Sequence, residues 1–155
     1  MQRWDARTAV VLLVEDDAGD QELTRRALTE GLFRADLRVV GDGEEALDYL
    51  LQRGAYADPD DCPFPDLMLL DLNMPKLDGR GVLRAVKSDE RLRHLPVVVL
   101  TTSQQETDIV RSYGLGCNSF ITKPVDGNRF VEVIRALGTY WFELATLPQL
   151  AVATV

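Results

Sequence analysis

Four polar clusters in this sequence each follow an apolar run: Glu15-Asp16-Asp17, Asp71, Thr101-Thr102-Ser103 and, slightly further on, Lys123. If a fold gathers them on one rim, three carboxylates crowd within a few ångströms and repel one another strongly. The usual remedy is a hard divalent cation with oxygen ligands and several retained waters, and Mg²⁺ suits that description. A carboxylate held by such a cation beside a lysine and a hydroxyl can attack a phosphoryl group. Cation, ammonium and hydroxyl all stabilise oxygens that gain charge in the transition state. Asp71 is the central candidate.

The elements needed to position these residues follow from hydrophobic pattern. Residues 10–14, Val-Val-Leu-Leu-Val, form a continuous apolar run of the kind seen in strands buried on both faces. Residues 37–40, 66–70, 95–100 and 119–121 supply four more strands. Helices are predicted over 18–30, 43–51, 79–88, 104–113 and 128–144; the last places Phe130, Val133, Ile134, Leu137 and Trp141 at helical spacing. Residues 53–65 collect prolines and acidic residues into a loop of above-average length. Five strands alternating with five helices predict an α/β fold, a doubly wound parallel sheet with helices on both faces. In such sheets ligands sit outside the carboxyl ends of the strands, where strand order reverses. The predicted organisation is a tail over 1–9, one domain over 10–138, and the end of the last helix with an apolar tail over 139–155.

Composition narrows the function further. With 155 residues, 46% of them hydrophobic, the chain suits one full core. A net charge of -8 argues against gripping phosphodiester backbones, which takes clustered Lys and Arg, so nucleic acid is not expected as a partner. Cys62 and Cys117 lack CxxC spacing and His94 has no ligand-type neighbours, so neither zinc nor a disulfide is indicated. The first residues lack the basic flank and apolar length of a signal peptide, and no segment approaches the roughly 20 apolar residues of a membrane span. A soluble, cytoplasmic protein is expected.

With these residues placed, the sequence resembles the response-regulator receiver family. The resemblance lies in Val14-Glu15-Asp16-Asp17, in Leu70-Asp71-Leu72-Asn73-Met74-Pro75-Lys76-Leu77-Asp78-Gly79, in Val99-Leu100-Thr101-Thr102-Ser103 and in Ile121-Thr122-Lys123-Pro124. The separations of Asp71 from Thr101 and Lys123 are family-like as well. The resemblance implies a flavodoxin-like fold in which Asp71 accepts phosphate from a histidine kinase on another protein. It further implies that Asp16 ligates Mg²⁺ directly, that Glu15 acts through water, and that Asn73 offers its backbone carbonyl. Thr101 then corresponds to the hydroxyl that moves to the phosphoryl group, Lys123 to its ion-pair partner, and Phe120 to the aromatic that swings inward. A cis Lys123–Pro124 peptide is also implied. The long loop, with Tyr140-Trp141-Phe142-Glu143-Leu144 and the nearby Leu147-Pro148, resembles the small stand-alone regulators that serve bacterial phytochromes. A bacteriophytochrome kinase is therefore the expected partner.

Other readings are open at this point. Glu15-Asp16-Asp17 could be only a helix cap, and Phe120 only core filling. A haloacid dehalogenase-type phosphatase also uses a strand-end Asp with Mg²⁺, but it needs a second Asp where this chain has Asn73, which cannot donate a carboxylic proton. A dinucleotide fingerprint would need more glycines than Gly19. A receiver-like binding module that is never phosphorylated would keep the same fold. Val131, Tyr140 and Phe142 fall off the core-facing stripe of the last helix, and with Leu147 they predict a homodimer interface. The competing arrangement is a tail folded back on its own domain.

Overall fold

The computed structural model describes residues 8–30, 34–102, 105, 109, 111 and 113–144. Its centre is a five-stranded parallel sheet: β1 (Ala9–Val14), β2 (Ala35–Val40), β3 (Leu67–Leu70), β4 (Val97–Thr101) and β5 (Ser119–Thr122), in the spatial order β2-β1-β3-β4-β5. The chain passes from β1 to one side for β2 and then crosses to the other side for β3. The strand order therefore reverses between β1 and β3, where Val14 pairs with Leu70.

Alternate residues of the central strands face opposite sides of the sheet. Leu12, Val14, Met68, Leu70, Val97 and Val99 enter one core with α2 (Gly43–Leu50) and α3 (Gly79–Ser88). Val11, Leu13, Leu67, Leu69, Val98 and Leu100 enter a second core with α1 (Ala18–Thr29) and α4 (Gly127–Thr139). This burial on both faces is why the strands read as unbroken apolar runs. Each such Leu contributes about 2 kcal/mol through burial.

The helices start where side chains satisfy free backbone donors. Asp17, Asp42, Asp78 and Asp126 cap α1, α2, α3 and α4 by accepting from Asp20, Glu45, Gly81 and Asn128 N–H groups. The loop after α2 is held to the domain by side chains. Tyr49 donates from its hydroxyl to the Pro63 carbonyl at 2.7 Å, Tyr56 donates to Glu45, and Arg38 donates to the Asp61 carbonyl at 2.5 Å. The Tyr49 and Tyr56 rings lie 5.3 Å apart at 53°.

Four α-helices are present among the described residues; the fifth, expected over 104–113, lies largely outside them, and Ile109, Arg111 and Tyr113 within it are helical. The structure corrects the sequence reading in two places. The last helix ends as α4 at Thr139 and continues as a π-helical turn, Tyr140–Leu144. No peptide is cis among the described residues, so Lys123–Pro124 is trans. The proline amide prefers trans by only about 1 kcal/mol, so sequence alone does not fix the isomer. No helix among the described residues is long and apolar enough to cross a membrane.

Candidate functional site

The site is built at the carboxyl ends of β1 and β3. The Glu15 N–H donates to the Val40 carbonyl at 3.0 Å and the Asp71 N–H to the Val14 carbonyl at 3.1 Å, so the sheet ladder itself brings Glu15 and Asp71 side by side. Glu15 and Asp71 are buried, whereas Asp16 is exposed. A carboxylate oxygen from each of Glu15, Asp16 and Asp71 lies within 4.8 Å of the others. Glu15 is fixed further by the Asp17 N–H, which donates to its carboxylate at 3.1 Å, and by Gln21, whose side-chain amide donates to its carbonyl at 2.6 Å.

Lys123, just beyond β5, reaches into this cluster and is buried. Its ammonium donates to Glu15, to Asp20 Oδ2 at 2.7 Å, and to Asp71 Oδ2 at 3.5 Å. Burial works to lower the affinity of this ammonium for its proton, but the hydrogen bonds to Asp20 and Glu15 and the charges of Asp71 and Glu15 outweigh it and hold the lysine protonated. Burial pushes the Glu15 carboxyl up to about 7; Lys123 opposes that rise and the charge of Asp71 adds to it. One ammonium therefore does not fully compensate the buried negative charge. An all-oxygen donor set with one exposed member and excess negative charge fits a hard divalent cation.

Thr101 ends β4 fully buried, and its carbonyl accepts from the Lys123 N–H at 2.7 Å, which ties the backbones of the two residues together at the ends of neighbouring strands. Phe120 on β5 is half-buried against the core that contains Val99, and its N–H donates to the Tyr113 hydroxyl at 3.1 Å. Asn73 is exposed, and its N–H stands 3.4 Å from Asp71 Oδ1, at the long limit of a hydrogen bond.

Two residues assigned to a dimer interface lie elsewhere: Val131 and Phe142 are buried in the domain's own core beside Phe130 and Ile134. The packing of α4 on α1 widens the buried face of α4, and the π turn rotates Phe142 inward. Tyr140 is 54% exposed and stands edge-on to Trp141, while Leu147 lies outside the described residues. Asp20 escaped the sequence reading because an acidic residue in a first helical turn already has a sufficient role in the helix dipole. His94 is exposed.

This fold and this acidic strand-end site define a class. A family profile described as the response regulator receiver domain matches residues 11–135, and the chain belongs to that family. It is a response regulator of a phosphorelay, a signalling protein whose family works with sensor histidine kinases. The response regulator Rcp1 of Synechocystis is 40% identical over 139 residues, spanning 90% of this chain and 92% of that protein. The phosphorylated cyanobacterial phytochrome response regulator RcpA superposes with a TM-score of 0.87 at 42% identity, over 92% of this chain and 100% of that one. The Mn²⁺-bound form of Rcp1 superposes with a TM-score of 0.84 at 39% identity, over 90% and 99%.

Proposed function

We propose that this chain is a regulator, working in the cytoplasm, that accepts a phosphoryl group on Asp71 from a phytochrome-type histidine kinase and passes the signal on by protein contacts. The observation that carries this reading is the buried Asp71 carboxylate at the strand-order reversal, gathered with the carboxylates of Glu15 and Asp16 and within reach of the Lys123 ammonium, which also bonds Glu15. The phytochrome assignment is supported by likeness to RcpA and Rcp1 over nearly the whole chain.

Glu15, Asp16 and Asp71, with the Asn73 carbonyl, would hold Mg²⁺. When bound, the ion supplies positive charge against both the carboxylates and the phosphoryl oxygens. An Asp71 oxygen forms the new O–P bond as the N–P bond of the donor's phosphohistidine breaks; the imidazole nitrogen keeps that electron pair and takes up a proton. Lys123 stabilises phosphoryl oxygens as charge moves onto them. Thr101 then bonds the transferred group through its hydroxyl, and Phe120 follows inward, which shifts the population of the surface around β5 and α4. Self-association, if it serves as output, would use Tyr140 together with the cavity of about 390 Å³ beside Trp141 and Leu137, since Val131 and Phe142 are spent in the core.

Phosphotransfer from an autophosphorylated bacteriophytochrome kinase tests the assignment. The phosphoryl group should move to this chain within minutes and not to Asp71→Asn. Transfer from unrelated kinases at equal or higher rates would remove the phytochrome assignment.

A further inference from the structure

We propose that Asp20 is a positioning residue for the phosphoryl-transfer site: it anchors the Lys123 ammonium where a phosphoryl group on Asp71 will need it. This inference rests on the function proposed above and names a residue which that function did not require. An ammonium has three donors. In this structure two of them go to Glu15 and to Asp20 Oδ2, and the third spans 3.5 Å to Asp71 Oδ2. That third contact is long enough to turn toward a phosphoryl oxygen while the other two hold.

Glu15 cannot be the lasting anchor, because it is also a member of the carboxylate cluster that a cation would draw together. Asp20 is outside that cluster and is fixed by its helix. Its N–H is capped by Asp17 at 2.8 Å, and its carbonyl accepts from the Thr24 hydroxyl at 2.8 Å. Its side chain is 27% exposed, at the mouth of the site, while that of Lys123 is 5% exposed, so the contact reaches from the rim to the buried ammonium. The contact joins the first turn of α1 to the loop after β5, two segments 103 residues apart.

Binding of beryllium trifluoride, a phosphoryl mimic, at saturating Mg²⁺ reads the consequence. Asp20→Ala should weaken it about tenfold, the scale of one charge-assisted hydrogen bond. Lys123→Ala should weaken it at least as much, and the double variant should be no weaker than Lys123→Ala alone, because Asp20 acts through the lysine. Effects that multiply, or Asp20→Ala binding as wild type does, would overturn the inference. A second readout needs no phosphoryl chemistry: amine-directed labelling of metal-free protein, quantified by peptide mass. The chain has three lysines, and Lys76 and Lys87 serve as internal references. Lys123 should label several-fold faster in Asp20→Ala, and in Asp20→Asn, which keeps the side-chain size; unchanged labelling in both contradicts an anchor. Failure of wild type to bind beryllium trifluoride would count against the proposed function, while the labelling result would still decide the anchor.

Discussion

Gly79 packs so closely on Asp71 that a Cβ at position 79 would stand 2.2 Å from the Asp71 carbonyl oxygen. The first residue of α3 thus sits directly against the segment that carries the proposed phosphoacceptor, and its N–H donates to the Leu72 carbonyl at 2.9 Å. Backbone, unlike the end of a flexible side chain, cannot move aside. Gly79→Ala should destabilise the domain by about 1–3 kcal/mol, the usual scale of overpacking. It should also slow phosphorylation of the folded fraction by displacing Asp71. Urea unfolding and the phosphorylation rate check both parts; wild-type values for both would mean that the loop relaxes freely.

Asp16 should show the opposite profile. It is exposed and contributes charge rather than packing. Asp16→Ala should therefore leave unfolding free energy within about 0.5 kcal/mol of wild type. Mg²⁺ binding at neutral pH should nonetheless be lost, together with phosphorylation that depends on it. Calorimetric titration with Mg²⁺ measures this, and retained affinity would remove Asp16 from the metal site.

Thr101→Ala should separate acceptance from signalling. Asp71 keeps its carboxylate neighbours and Lys123 in that variant, so phosphate should still be accepted. Amide exchange around β5 and α4 should then no longer respond to phosphorylation. A full response in Thr101→Ala would move the coupling to another residue.

Tyr49 predicts a specific alkaline weakness. Burial raises its hydroxyl from the ordinary 10.0 to about 12. A group raised in the folded state stabilises fully below its unfolded value, and that contribution is lost as pH rises through the folded value. The window is therefore about pH 10 to 12. At pH 8, Tyr49→Phe should be about 1 kcal/mol less stable through loss of the bond to Pro63. The difference should shrink and then reverse toward pH 12, as read by denaturant unfolding. A constant difference across that range would contradict the assigned cause.

Much of this molecule was legible in its sequence for a physical reason. Strands buried on both faces cannot hide their apolar runs, and polar residues at strand ends cannot be explained by packing, so Glu15, Asp71, Thr101 and Lys123 stood out together. What the sequence concealed depended on three-dimensional reach. The pairing of Asp20 with Lys123 joins distant segments through the length of one lysine side chain. Val131 and Phe142 were misplaced because a regular 3.6-residue period was extended along one stripe. A buried face widened by α1 and a π turn after Thr139 both break that assumption. The isomer of Lys123–Pro124 was hidden because the preference for either form is small.

Uptake of phosphate by Asp71 in this acidic pocket is read by incubation with a small phosphodonor such as acetyl phosphate, followed by intact mass measurement. With Mg²⁺ the protein should gain the mass of one phosphoryl group, and peptide mapping should place it on Asp71. Asp71→Asn, and wild type in excess chelator, should gain none. An equal gain in Asp71→Asn, or no gain in wild type with Mg²⁺, would contradict the account.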